Sequence, residues 1–318
     1  MVRILFYGTP TFAVPTLTRL LGSSYQVVGV VTQPDRKRGR RQKILPSPVK
    51  MAAMAHEIPV LQPEGSELKQ RSFLTDLDLL QPDLAVVVAY GNMLPRSALD
   101  APQYGTINVH ASLLPKYRGA APIHRAIIAG EPETGVTIIR LVQQMDAGPI
   151  LAQSSSPIGP NDTSSEVEGT LSKVGAELLL KTVVALFNGT AREQIQDHST
   201  ASYAARITKS EGCIDWRLPA PDLHNLIRGL HPWPLAFSYS EGKRYVIHRT
   251  KITNTSFSGS EPGTIVKAER DRLIVTTGKD SALEITTIQP EGGRPLDAQS
   301  FLAGKRWTVG RRFDSAPS

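Results

Sequence analysis

Short apolar runs alternate with stretches of helical spacing through the first part of the chain. Ile4 to Tyr7, Val27 to Thr32, Leu84 to Val88 and Gly105 to His110 are compact and apolar, and each ends at Gly, Pro or a polar residue. Runs of that length and bounding read as buried strands. Phe12 to Leu21, Val49 to His56, Leu68 to Leu80 and Ile123 to Ala129 place apolar residues on one helical face. Pro59 to Pro63 reads as a short edge strand, Gly135 to Val142 as a further strand and Ser154 to Pro160 as a connection. Asn161-Asp162-Thr163 then caps a long helix, Ser165 to Asn188, which Gly189 ends. Strands alternating with helices imply a mostly parallel sheet.

Thr190 to Thr208 is polar and without periodicity, so it reads as a linker. Beyond Ile214 the pattern changes. One short helix, Pro221 to Gly229, is followed by Ala236 to Ser240, Tyr245 to Lys251, Gly263 to Ala268, Arg272 to Thr277 and Ala282 to Ile288. Short alternating strands with Gly-rich turns indicate a small antiparallel barrel. The expected class is α/β: a Rossmann-like, mostly parallel sheet domain over residues 1–189, a linker over 190–207 and an antiparallel β-barrel domain over 208–318.

Composition narrows the possibilities. The 318 residues, 40% hydrophobic, suffice for two cores. No stretch is long and apolar enough to span a membrane. The chain begins as a strand at Met1 with no signal or transit segment ahead of it, so a cytoplasmic location is expected. The single cysteine, Cys213, excludes an internal disulfide framework and is expected to be a small buried apolar residue. Core packing is likewise expected for Trp216, Trp233 and Trp307. The histidines lack metal-ligand spacing, so no metal is expected. A net charge of +7 favours a polyanionic partner such as RNA, although modest basicity is common in plain enzymes.

Candidate chemistry gathers around Asn108-Val109-His110-Ala111-Ser112-Leu113-Leu114-Pro115. Asn108 and His110 are two apart on a strand and share a face. They emerge where the strand ends, and Pro115 forbids the ladder to continue. Ligands of open α/β sheets bind beyond the carboxyl ends of the strands. An amide beside an imidazole at that place suits a reaction that builds an oxyanion. Either residue alone is more often a turn residue or a satisfied polar group. A third residue favours a site: Asp146, in an Asp-Ala-Gly loop after the strand Gly135 to Val142, is a carboxylate that would orient His110.

A second region, Gln33 to Lys50, is too basic and too broken by Pro and Gly to be a packed element. Most charge runs are solvated surface. Arg36, Arg38, Arg40, Arg41 and Lys43 are nevertheless dense enough to neutralise phosphates, and the segment leaves a strand end on the same rim as Asn108.

Asn108-Val109-His110-x-Ser112-Leu113-Leu114-Pro115, then Arg118-Gly119 and Asp146-x-Gly148, resembles the signature of the 10-formyltetrahydrofolate-dependent formyltransferases. Within them the chain resembles, end to end, the branch that acts on methionyl-tRNA. That resemblance implies a cytoplasmic enzyme passing a formyl group from 10-formyltetrahydrofolate to the α-amino group of initiator methionyl-tRNA, for translation initiation. Asn108, His110 and Asp146 would be catalytic. Tyr90, Gly91, Ser112, Leu113, Leu114 and Pro115 would line the folate pocket. The basic insertion ending in Pro46-Ser47-Pro48-Val49-Lys50 would enter the tRNA acceptor end, with Arg40 at the position best associated with that contact. The C-terminal domain would be a small barrel similar to the oligonucleotide-binding fold. Ala111 stands where the family usually has Gly, and Arg206, also placed towards tRNA, where many members have Lys. A monomer is expected. The competing readings are a small-molecule formyltransferase or formyl-folate hydrolase, against which the basic loop and basic barrel count, and a non-catalytic RNA-binding module, against which intact Asn108, His110 and Asp146 count.

Overall fold

The structure is a computed structural model. It describes the chain except residues 39–42, 254–256, 258, 305–306 and 317–318, and it leaves the side chains of Lys37, Arg38 and Lys43 undescribed. In chain order the elements are β1 (Arg3–Gly8), α1 (Val14–Leu21), β2 (Gln26–Val31), β3 (Arg36–Arg38), β4 (Lys43–Leu45), α2 (Pro48–Met54), β5 (Val60–Leu61), α3 (Arg71–Leu80), β6 (Leu84–Val88), α4 (Arg96–Leu99), β7 (Thr106–His110), β8 (Arg118–Gly119), α5 (Pro122–Ile128), β9 (Glu133–Arg140), β10 (Ile150–Pro157), α6 (Ser164–Phe187), β11 (Tyr203–Ala204), α7 (Ala220–Gly229), β12 (Ala236–Ser240), β13 (Lys243–Ile252), β14 (Ile265–Glu269), β15 (Arg272–Thr276), β16 (Ala282–Pro290), β17 (Leu296–Asp297) and α8 (Ala298–Gly304).

The contacts divide these into two units. The first comprises Met1–Gly119, Thr134–Ser156 and Glu168–Ala204. Its sheet has the order β10-β9-β7-β6-β1-β2-β5. β5, β2, β1, β6 and β7 run parallel, and β9 is antiparallel to β7. Counting only the parallel strands, the order is 3-2-1-4-5, the Rossmann arrangement, whose direction of winding reverses between β1 and β6. Both faces of a parallel sheet are covered, so these strands are apolar throughout: β6 is buried at all five positions. Leu5, Tyr7, Val31, Ala85 and Val87 pack against Phe73 and Leu77 of α3 on one face.

The second unit comprises Ala120–Glu133, Pro157–Val167 and Ala205–Ser318. Its antiparallel sheet has the order β12-β13-β16-β15-β14, with β17 added against β16. Residues near the C terminus bridge both outer strands, Asp314 to Tyr239 and Arg312 to Thr264, an arrangement compatible with the predicted barrel. Trp216, Leu223, Ile227, Tyr245, Ile285, Phe301, Trp307 and Phe313 form its core.

Five local expectations differ from the structure. Arg36–Arg38 and Lys43–Leu45 pair antiparallel inside the stretch read as unpacked, while the helix expected from Val49 starts at Pro48. Backbone hydrogen bonds between short strands need no apolar face, so a pattern read from hydrophobicity does not see them. Ser154 to Pro157 belongs to β10, an edge strand whose exposed positions dilute its apolar signal. The polar stretch from Thr190 carries a two-way bridge between Gln194 and Ile150, and β11, which pairs with β8. Trp233 is half-exposed and Cys213 is half-buried, neither in a core. Trp233 sits between two prolines in the turn after α7, which points it outward. The Cys213 thiol donates to the Ser315 carbonyl at 2.8 Å, and burial followed by Asp215 pushes its pKa up.

The expected helix cap at Thr163 has a titratable partner. Glu166 accepts from the Thr163 hydroxyl at 2.7 Å, from its amide at 2.8 Å and from Arg249 at 2.8 Å. Those bonds, in that order, hold the Glu166 carboxyl down at about 2, against an ordinary 4.5. A carboxyl depressed by folding stabilises the fold above its unfolded pKa and loses that contribution as pH falls towards the folded value. Thermal unfolding followed across pH 4.5 to 2 should therefore show a falling midpoint, and Thr163→Val should make that slope shallower. Equal slopes would mean that the cap is not what holds this carboxyl. The effect is small, because the Glu166 side chain is 49% exposed.

Candidate active site

β7 lies between β6 and β9, so its side chains alternate between two covered faces. Asn108 and His110 share one face, and both are buried. The Asn108 side chain makes no hydrogen bond to any described residue, although its amide carries two donors. His110 is anchored. Its Nε2 lies 2.9 Å from the Tyr117 carbonyl, which can only accept, so that nitrogen carries a hydrogen. Its Nδ1 lies 3.7 Å from Asp146 Oδ2. The same Asp146 oxygen accepts the Gly119 amide at 2.8 Å.

The loop between His110 and Gly119 is held from several sides. Ser112 Oγ donates to the Lys116 carbonyl at 2.6 Å. Thr137 of β9 donates to the Ser112 carbonyl at 2.6 Å and accepts the Leu114 amide at 3.1 Å. Gln153 of β10 donates to the Leu114 carbonyl at 2.7 Å. Tyr117 has φ +60, and Ser202 Oγ accepts its amide at 2.9 Å. β8 then pairs with β11, so Tyr203–Ala204, read as linker, clamps the end of the signature loop.

Asp146 itself has φ +49. Two residues on, Gly148 passes so close to β9 that an added Cβ would lie 1.8 Å from the Arg140 carbonyl oxygen. Beneath this turn lies a buried pair. Arg118 is 1% exposed, and no carboxylate pairs with it among the described residues. It donates through Nη2 at 2.6 Å and Nε at 3.2 Å to Gln196 Oε1, and through Nη2 at 3.0 Å to His198 Nδ1. Gln196 Nε2 donates to the carbonyls of Asp146 at 2.9 Å and Gly148 at 2.7 Å.

At the point where the winding reverses, Thr9 after β1 donates to the Tyr90 carbonyl after β6 at 2.9 Å and accepts the Gln33 amide at 3.3 Å. Gly91 follows, exposed and at φ +99. Tyr90 is buried edge-on against Tyr7, ring centroids 5.5 Å apart, and burial pushes its hydroxyl up to about 12. Of the remaining residues expected at the folate pocket, Ser112 and Leu114 have buried side chains, Leu114 packing on Ile139 and Ile150, while Leu113 and Pro115 are half-buried.

The basic segment is rooted by three side chains. Lys50 Nζ bonds Asp35 Oδ2 at 2.7 Å and Gln62 Oε1 at 2.6 Å, and Gln62 Nε2 returns to Asp35 Oδ1 at 2.8 Å. The Lys50 bond, then the Gln62 bond, lowers the Asp35 pKa. Arg36 is exposed and donates to Gln33 Oε1 at 3.2 Å. Arg40 and Arg41 lie outside the described residues, as do the side chains of Arg38 and Lys43. Arg206 is exposed. The roles of Gln196, Thr137, Gln153 and Ser202 had no signal in the sequence, since each acts on a loop tens of positions away. Among the described residues no group of three His, Cys, Asp or Glu is set to hold a metal, and no helix is long and apolar enough to cross a membrane.

The family model "Formyl transferase" matches residues 2–183, and "Formyl transferase, C-terminal domain" matches residues 206–306. The chain is 43% identical over 313 residues to the methionyl-tRNA formyltransferase of Bacillus licheniformis, covering 98% of each. It is 45% identical over 303 residues to that of Moorella thermoacetica, covering 95% of this chain and 96% of the other. Among solved structures, an N-formyltransferase from Helicobacter canadensis, in complex with folinic acid and dTDP-3-aminofucose, superposes with a TM-score of 0.67 at 20% identity, over 90% of this chain and 99% of the other. HypX from Aquifex aeolicus in complex with tetrahydrofolic acid has a TM-score of 0.62 at 16% identity, over 98% of this chain and 50% of the other. At such identities these two speak for the fold alone.

Proposed function

Because the chain belongs to the formyl transferase family, we propose that it transfers the formyl group of 10-formyltetrahydrofolate to the α-amino group of methionyl-tRNA, as a monomer in the cytoplasm. The methionyl-tRNA formyltransferases it matches are covered from end to end, which favours tRNA over a small amine as acceptor. The observation that carries the chemistry is the unbonded Asn108 amide beside an anchored His110 and Asp146.

The amine of the aminoacyl ester attacks the formyl carbon, and negative charge develops on the formyl oxygen. Asn108 donates to that oxygen. Its donors have no partner to give up among the described residues, so little reorganisation is needed as the charge appears. His110 is fixed at Nε2 by Tyr117, and its Nδ1, 3.7 Å from Asp146 and outside hydrogen-bond reach of it, is the nitrogen that supplies the second polar contact. One proton must leave the attacking nitrogen and one must reach the departing folate nitrogen. Asp146 is the carboxylate within reach of that exchange. Tyr90, Gly91 and the loop Ser112 to Pro115 surround the folate, the buried Tyr90, Ser112 and Leu114 side chains shaping the wall and the rest meeting the ligand. Residues 1–189 serve the chemistry, 208–318 the RNA, and 190–207 joins them.

Incubation with 10-formyltetrahydrofolate and charged initiator tRNA should yield formyl-methionyl-tRNA. Free formate as the main product would instead indicate a hydrolase. Arg40→Ala with Arg41→Ala should raise KM for tRNA, leave KM for folate in place and flatten the salt dependence of tRNA binding by up to about two units of slope. An unchanged slope and KM would remove these arginines from the RNA contact.

A further inference from the structure

The backbone on either side of Arg118 holds both sides of the candidate site. The residue before it offers the carbonyl that takes His110 Nε2, and the residue after it offers the amide that binds Asp146 Oδ2. The Arg118 side chain reaches the same aspartate by another route, through Gln196 to the carbonyls of Asp146 and Gly148. We propose that Arg118 and Gln196 form a positioning pair that sets the Asp146 carboxylate against His110.

Gln196 suits this task because its amide is used in full. Both hydrogens go to carbonyls, and its oxygen takes two donors from one guanidinium. A flipped amide would point its NH2 at the guanidinium and its oxygen at two carbonyls, so only one orientation is bonded. Gln196 is 4% exposed and Arg118 1%. Neither offers a surface to substrate, so their effect must pass through the Asp146 turn. That turn lies outside every strand and helix, so no ladder fixes the Asp146 backbone, and the Gln196 bonds supply the hold. Losing the hold would let the carboxylate move relative to Nδ1, and a displacement of about 1 Å at a reacting group can lower rate about 10²-fold.

This inference rests on the catalytic role proposed for Asp146, and its test separates the two. The informative variant is Gln196→Glu. Its carboxylate still accepts from Arg118, so the buried guanidinium keeps a partner, but it cannot donate to either carbonyl. Formyl transfer by Gln196→Glu should show kcat lowered about 10²-fold, with KM for methionyl-tRNA and affinity for a non-reactive folate analogue unchanged. Asp146→Ala should lower kcat at least as much. Combined, the two changes should cost no more than Asp146→Ala alone, because residues acting through one group are not additive. If Asp146→Ala is fully active, the catalytic reading of the site fails. If Asp146→Ala is inactive while Gln196→Glu is normal, or if the pair multiply, the positioning inference is overturned. Arg118→Met with Gln196→Met removes both polar partners and serves as a second variant. The same kcat loss, again erased in the Asp146→Ala background, is expected, and an additive loss overturns the inference.

Discussion

Asn108→Ala is expected to lower kcat by about 10²- to 10³-fold, the usual loss on removing one donor from an oxyanion. Folate affinity should be kept, because the contact strengthens only as charge develops on the formyl oxygen. The fold should also survive. The Asn108 side-chain amide bonds no described residue, so its removal leaves no described group without a partner. His110→Ala should match the loss in kcat, but with a structural cost, since the Tyr117 carbonyl loses its donor. Rapid-quench single turnovers with saturating folate and charged tRNA would read both. Near-normal turnover by Asn108→Ala would show that the formyl oxygen is held by something else.

Gly148→Ala is expected to be among the most damaging single-methyl additions in the chain. The new Cβ would lie 1.8 Å from the Arg140 carbonyl oxygen, and backbone cannot swing aside as a long side chain can. β9 or the Asp146 turn must move. Overpacking of this kind costs about 3 kcal/mol at the upper end of its range, which for a unit of this size lowers the unfolding midpoint by roughly 6 to 12 °C. Activity should fall beyond what stability explains, because the displaced turn carries Asp146. Gly169→Ala in α6 is the control. That glycine is exposed with nothing within 4 Å of the added carbon, so alanine should stabilise by about 0.5 to 1 kcal/mol. Differential scanning calorimetry of the two variants reads the contrast directly. A Gly148→Ala midpoint equal to that of the unsubstituted protein would mean that β9 yields easily.

Local pattern was enough for the parallel strands of the first unit. Their burial on both faces forces continuous apolar residues, as in Leu84–Val88, and the helices between them must present one apolar face. The pairing of Asn108 with His110 was equally legible, because alternation along a strand is a property of the backbone and needs no partner to define it. Asp146 was legible as a carboxylate at a strand end. Its facing His110 was expected as well, but the Gly119 amide on the same oxygen was not, since 27 residues separate Gly119 from Asp146.

Only the tertiary structure decided what holds the site in place. Gln196 lies in a polar stretch with no periodicity, and its partner Arg118 is 78 residues earlier. Nothing local marks a glutamine that will be buried, because burial of a polar side chain depends on the partners the fold brings to it. The same holds for Trp233, whose composition suits a core but which two flanking prolines turn to the surface. Hydrophobic spacing determines which faces must be covered and therefore which elements form. Hydrogen bonds between distant polar groups determine how those elements aim their side chains, and they leave no period in the chain to be read.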